Sequence, residues 1–289
     1  MGVEVALSGP EGLLAVPEGA VRCAVLVLSG SSGRVEVERA RLLCAQGAAA
    51  LSLRWFGGPG QPQGICEVPL ETFTPALERL ASLSEHLCVI GASKGAEAAL
   101  LLACRDRRIR AVAALAPSSV VWANVGPGVG GLSPRPRSSW TDAGRAVPFV
   151  PYDPTWIPRM VGGLPCYRGL YEQSLVTFAD QVDAATIPVE RISAELLLAG
   201  GGDDQVWPTD LFIDQIAQRR AAHALPTSVL TASEAGHRIR LPGEPPPGGG
   251  MAMTRGGTAN AETALGQRLW PALLRLLRLD EPQLPSMLT

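Results

Sequence analysis

Residues 91–95 read Gly-Ala-Ser-Lys-Gly, and this short stretch constrains the fold more than any other. Before it stands an apolar run, Leu87, Cys88, Val89 and Ile90. After it comes an alanine- and leucine-rich stretch from Ala96 to Cys104. The first predicts a buried strand and the second a helix. Joining them within a few residues demands a sharp turn, and the G-x-S-x-G spacing supplies small residues where that turn must close. Ser93 is then pushed out at the apex. The backbone N–H of Lys94 points toward any carbonyl that Ser93 attacks, a first donor for an oxyanion hole.

The rest of the chain alternates in the way such a turn needs. Val3–Leu7 and Leu13–Val16 flank Ser8-Gly9-Pro10-Glu11-Gly12, which predicts a β-hairpin. Strands are expected at 21–28, 48–53, 87–90, 110–115, 194–198 and 227–231. Helices are expected at 35–46, 70–83, 96–104, 209–221 and 260–277. Strands alternating with helices predict an α/β fold, a mostly parallel central sheet covered on both faces. The pattern breaks between Pro117 and Pro188, a segment rich in Pro, Gly and aromatic residues that holds Trp122, Trp140 and Trp156. Its aromatic content argues against disorder. The expectation is one domain over residues 1–289 with a cap, or lid, inserted at about 118–188.

Bulk composition excludes several classes of function. With 289 residues and a formal charge of −2, the chain offers no overall basic character for nucleic acid. No apolar run reaches the roughly 18 residues of a membrane span. The N-terminus lacks a basic region followed by an apolar one, so a cytoplasmic protein is expected. The six cysteines form no C-x-x-C pair and read as reduced core residues. Of 25 basic residues 24 are arginine, and the single lysine is Lys94, beside the candidate nucleophile.

A serine hydroxyl needs a base, and the base an acidic partner. The chain has three histidines. His86 precedes the strand that leads to Ser93 and belongs at the opposite edge of the sheet. His223 follows a helix end. His237 follows a strand, where a loop leaves the active edge, and is the candidate base by elimination. After the strand at 194–198 stands Gly200-Gly201-Gly202-Asp203-Asp204-Gln205-Val206-Trp207-Pro208. Asp203 and Asp204 compete for the acid. The register of Gly201, Asp204 and Pro208, a G-x-x-D-x-x-x-P arrangement common in α/β-hydrolases, favours Asp204. The order Ser93, Asp204, His237 is the α/β-hydrolase order. A second oxyanion donor is expected from the turn after the strand at 21–28, with Ser29, Gly30 and Ser31 as candidates. Arg54, Trp55, Trp122 and Arg238 are the candidate substrate contacts, with Arg240 a further candidate for an anionic group. The cluster Arg105–Arg110 lies at the far end of the nucleophile helix, about 15–20 Å from Ser93.

Several stretches together resemble the C-terminal catalytic domain of acyl-CoA thioesterases and bile acid-CoA:amino acid N-acyltransferases. They are Gly91–Glu97, Ala116–Ser119, Ile187–Ile192, Gly202–Trp207, Gly236–Ile239 and Gly256–Ala261. The resemblance implies an α/β-hydrolase fold, a Ser/Asp/His site at Ser93, Asp204 and His237, an acyl-enzyme intermediate and thioester substrates carried by coenzyme A or a carrier protein. It implies no metal or redox cofactor. The amino acid-transferring members typically carry Cys as nucleophile, so Ser93 tilts the expectation toward hydrolysis. Acyl transfer or cyclisation onto an amine or hydroxyl, and carboxylester hydrolysis, share the first half-reaction. A catalytically silent binding protein of the same fold is the remaining alternative.

Overall fold

Apolar runs with no polar face must be covered on both sides. A computed structural model, which describes residues 2–128, 136–246, 248 and 250–280, meets that demand with an eight-stranded sheet. The strands in chain order are β1 (Val3–Ser8), β2 (Glu11–Val16), β3 (Cys23–Leu28), β4 (Ala48–Leu53), β5 (Val68–Pro69), β6 (Leu87–Ala92), β7 (Ile109–Leu115), β8 (Trp140–Asp142), β9 (Arg145–Ala146), β10 (Arg159–Val161), β11 (Leu164–Cys166), β12 (Glu195–Gly201) and β13 (Ser228–Ala232). The large sheet runs β1-β2-β4-β3-β6-β7-β12-β13. β2 pairs antiparallel with β1 and β4, and the pairs from β4 onward are parallel. That is the strand order of an α/β-hydrolase.

Side chains alternate across these strands and build two cores. Ala24, Leu26 and Leu28 of β3 face α2 (Thr74–Ala81), α3 (Lys94–Arg105) and α6 (Thr209–Ala222). Cys23, Val25 and Val27 face α1 (Val37–Ala45) and α7 (Ala259–Leu276), which contribute Leu43, Leu265, Leu269 and Leu273. Most boundaries lie within two residues of the sequence expectation. The helix expected at 70–83 differs. It opens as a 3₁₀ turn over Leu70–Phe73, and α2 begins anew at Thr74. Pro75, which has no N–H to give an α-helical ladder, takes a first-turn position instead.

The segment at 118–188 folds onto the domain through aromatic packing; residues 129–135 of it lie outside the described residues. α4 (Arg168–Thr177) and α5 (Ala179–Ala185) complete it. Trp122, Tyr171, Trp207 and Phe212 share one buried cluster, with Trp122 stacked on Tyr152. Trp140 packs instead against Trp55 and Phe73 of the main core.

Lys94 joins these parts. Its Nζ donates to both carboxylate oxygens of Glu97, at 2.7 and 2.8 Å, with 2% and 0% of the two side chains exposed. Glu97 also accepts from Trp140 Nε1 at 2.7 Å and from the Trp122 main chain at 3.4 Å. Burial pulls the Lys94 amine down and pushes the Glu97 carboxyl up, while their mutual attraction opposes both shifts. Removing one member of such a pair strands the other charge in a dry core. Lys94→Met should therefore destabilise the fold by about 3–5 kcal/mol in urea unfolding at pH 7. Lys94→Met with Glu97→Gln, which keeps an acceptor for Trp140, should be less damaging. A double variant as unstable as the single one would mean that the pair is not held as ions.

Candidate active site

Ser93 takes φ 55° and ψ −122°, between the end of β6 and the start of α3. Non-glycine residues rarely adopt positive φ, and it persists only where neighbours impose it. Here the Ser93 N–H donates to Leu115 O on β7 at 2.8 Å, and the Ser93 carbonyl accepts from Ala96 N at 2.8 Å. A Cβ at Gly91 would collide with the Gly95 main chain, so the turn closes only around glycine. Gly30 is also required. A Cβ there would lie 2.9 Å from Ser93 Cβ and 3.5 Å from Ser93 Oγ. The turn after β3 thus lies directly against the elbow. Lys94 opens α3, where the first N–H groups of a helix have no carbonyl of that helix to bond.

Two loops from neighbouring strands bring the other groups. Asp204, fully buried after β12, receives hydrogen bonds from Val206 N at 2.8 Å, Trp207 N at 3.3 Å and Thr209 Oγ1. Its Oδ2 stands 2.7 Å from His237 Nδ1. A carboxylate on Nδ1 fixes the ring so that Nε2 faces away from it. Trp207 packs edge-on against the His237 ring with centroids 5.7 Å apart. The His237 main chain donates to Arg255 O at 2.9 Å, which ties the loop to the segment before α7. Asp203 points elsewhere: it accepts from Gly257 N at 2.8 Å and Gln205 Nε2 at 2.7 Å. It braces the loop and does not reach the histidine.

Ser93, His237, Gly30 and Ser31 open into one cavity of about 450 Å³. Among the sequence-derived substrate contacts, Arg238 lines it, as does Arg240. The other three do not. Trp55 is fully buried and packs its ring on Trp140, 5.1 Å away. Trp122 is buried in the aromatic cluster and donates from Nε1 to Ser118 Oγ. Arg54 pairs with Glu11 at 2.6 Å and donates to Gly33 O. An aromatic side chain at a strand end is as useful to a core as to a ligand, and here packing claims both tryptophans. Ser29 is fully buried outside the cavity lining. His86, buried, approaches Leu276 O at 3.1 Å, and His223 caps its own helix end on Arg219 O. The Arg105–Arg110 cluster spends Arg105 on Glu71 and Asp142, and Arg108 on Asp106.

The cavity walls include residues that spacing and motif did not single out. Val35 comes from just before α1, Val37 and Arg39 from its first turn, and Pro245, Pro246, Met251, Met253 and Arg255 from the Gly/Pro stretch after His237. Methionines and an arginine within an otherwise Gly/Pro run are the available signal. No described residue of 118–188 lines the cavity. The described residues of that segment hold the loop that carries Asp204. The Tyr167 and Arg168 main chains both donate to Gln205 O, and the Arg168 side chain donates to Asp204 O. Among the described residues no group of three His, Cys, Asp or Glu is placed to hold a metal ion, and no helix is long and apolar enough to cross a membrane.

The model of the family described as BAAT / Acyl-CoA thioester hydrolase C terminal matches residues 68–278. Acyl-coenzyme A thioesterase 6 of Mus musculus is 25% identical over 264 residues, 85% of this chain and 57% of the relative. Acyl-coenzyme A amino acid N-acyltransferase 1 of Mus musculus is 25% identical over 274 residues, 88% and 59% of the two chains. The chain thus spans little more than half the length of these relatives. Among solved structures, a dienelactone hydrolase-like promiscuous phosphotriesterase from metagenomic libraries superposes with a TM-score of 0.53 at 16% identity, covering 96% and 97% of the two chains. TT1662 from Thermus thermophilus gives 0.50 at 17%, covering 98% and 99%. These two share the fold. With its sheet order, its elbow and a family match that runs from β5 to the end of α7, the chain belongs to the BAAT / acyl-CoA thioester hydrolase C-terminal family of α/β-hydrolases.

Proposed function

We propose that the protein is a serine hydrolase of acyl thioesters, with Ser93 as nucleophile, His237 as general base and Asp204 as its acidic partner. The observation that carries this reading is the 2.7 Å contact of Asp204 with His237, at a ring that shares a cavity with Ser93 on its strained elbow. His237 Nε2 takes the hydroxyl proton as Ser93 Oγ bonds to the thioester carbonyl carbon. The oxyanion lies against the N–H of Lys94 and one from Gly30 or Ser31. Collapse of the intermediate breaks the C–S bond, and the proton on His237 leaves with the thiol. Water then enters, gives a proton to His237 and attacks the acyl-serine. The acid departs and Ser93 recovers its proton. Asp204 stays ionised throughout and stabilises the imidazolium. Coenzyme A or a carrier protein is the thiol, and the cytoplasm is the proposed location.

Transfer of the acyl group to an amine is the second reading, favoured by the amino acid N-acyltransferase relative at 25% identity. Competition separates the two. With an acyl thioester turned over in millimolar glycine, taurine and simple alcohols, free acid should be the major product. Incubation should give an acyl adduct on Ser93 by mass spectrometry, absent in Ser93→Ala. Amide or ester as the major product would move the protein to the transfer branch with the same three residues.

Two further outcomes test the assignment of roles. Asp204→Asn should lower kcat by up to about 10⁴-fold, while Asp203→Asn costs far less, with both variants folded by circular dichroism. A more damaged Asp203 variant would mean the wrong carboxylate has been named. Gly30→Ala should lower kcat by about 10²-fold or more, because its Cβ displaces Ser93 and the adjoining N–H groups, with the variant still folded by circular dichroism. A fully active Gly30→Ala would remove the β3 turn from the oxyanion hole.

A further inference from the structure

Four large apolar side chains stand out in solvent on and beside one short hairpin. Ile157 is 83% exposed, Met160 56%, and Val161 and Leu164 40% each. Ile157 precedes β10, and the other three belong to β10 and β11. The hairpin pairs Arg159 with Cys166, Met160 with Pro165 and Val161 with Leu164. Gly162 and Gly163 turn it at φ 57° and 78°. Opposite residues of such a ribbon share a face, and the faces alternate along each strand. Val161 and Leu164 therefore lie on one face and Met160 and Pro165 on the other. The tip is apolar on both faces, and every residue of β10 is exposed. The hairpin is nonetheless held in place. The Thr254 N–H donates to Pro165 O at 2.9 Å, and its hydroxyl donates to Val161 O and Leu164 O. Buried Cys166 donates to Gln205. Thr254 follows Met253, which lines the Ser93 cavity together with Met251. The hairpin thus adjoins the wall of the cavity.

We infer that the β10–β11 hairpin is a lipid-docking element, whose tip enters the headgroup and upper acyl region of an anionic lipid layer and brings the cavity wall at Met251 and Met253 to that surface. This does not depend on the chemistry at Ser93. Shape favours lipid over protein. A flat protein partner covers one face of a ribbon, whereas lipid surrounds both. The three residues Met160–Gly162 extend about 10 Å at strand rise, near the roughly 5–10 Å to which interfacial elements sink. Charge agrees. Between Pro154 and Tyr167 the one charged residue is Arg159, at the base of the hairpin, where headgroups would lie. It donates to Gln205 Oε1 at 2.9 Å. Arg240 donates to the Glu244 carbonyl, and Arg255 to the carbonyls of Met251 and Met253. None of these acceptors is a carboxylate. Asp203, which accepts from Gln205, and Glu262, within Coulomb reach of Arg255, offset part of this charge. A second copy fits less well, because a two-fold interface sets the same patch on both sides and its cations against each other. A bound acyl chain does not account for the tip either, since Ile157, Met160, Val161 and Leu164 lie outside the cavity lining.

Vesicle flotation tests this. The full chain is mixed at about 0.1 M salt with vesicles of phosphatidylcholine alone or with about 30% phosphatidylglycerol. The protein should float with the anionic vesicles at least about tenfold more than with the neutral ones, and less so at about 0.5 M salt. Val161→Ser with Leu164→Ser should lower that partition by about tenfold or more. Met160→Glu, a single exposed change that adds repulsion from the lipid charge, should do the same and provides a second reading should the double variant fail to fold. Arg159→Gln should narrow the preference for anionic vesicles. Val3→Ser with Val5→Ser, on the exposed strand β1, should bind as the parent does. Circular dichroism checks the fold of each variant. A parent chain that floats with neither vesicle overturns the inference. So does binding that survives the hairpin variants, or that falls equally in the β1 variant. Light scattering covers the remaining occupant. A dimer that becomes monomeric in Val161→Ser with Leu164→Ser, without vesicle binding, assigns the hairpin to a second copy and overturns the lipid reading.

Discussion

The buried ion pair of Lys94 with Glu97 holds together parts of the molecule that share no sheet. Lys94 is both the residue after Ser93 and the first residue of α3. Its main chain belongs to the elbow, while its side chain runs under the helix to Glu97. Glu97 in turn anchors Trp140 and the Trp122 main chain. Trp140 then packs on Trp55 and Phe73, and Trp122 on the aromatic cluster that supports Trp207. A charge pair in a dry interior is a poor source of stability, but it is intolerant of displacement, because any separation exposes two unsolvated charges to each other's loss. That intolerance suits a serine at φ 55°, where the backbone has no intrinsic reason to stay.

Much of this was legible in the residues themselves, for identifiable reasons. The elbow is a local signal: strand, small-residue turn and helix within twenty positions. The sheet was legible because its central strands are apolar runs bounded by turns, with boundaries mostly within two residues. Asp204 and His237 stood out because histidines are few and because Gly201 and Pro208 set a register. The contrast between Asp203 and Asp204 is clear in space. One carboxylate braces Gly257 and Gln205, and the other meets the imidazole.

The walls of the cavity were not legible, and neither was the work of residues 118–188. Both depend on contacts between segments far apart in the chain, made by stretches with no helical or strand period. The Gly/Pro run after His237 has no periodicity to interpret, yet Arg255 within it receives the His237 main chain and lines the cavity. Trp55 and Trp122 illustrate the converse. Large rings near an active edge suggest ligand contact, but a ring buries more surface in a core than any other side chain, and both went there.

The acid loop is gripped from two sides. Tyr167, Arg168 and Cys166 hold Gln205 and the Asp204 carbonyl, and Asp203 reaches across to Gly257. The insertion is therefore part of what holds the Asp204 loop in place. Replacing it would loosen the loop that holds the Asp204 carboxylate against His237. Pro245, Pro246, Met251 and Met253 form part of the cavity wall. A change in that irregular stretch meets the cavity directly, whereas a change in the insertion reaches His237 only through the loop that carries Asp204.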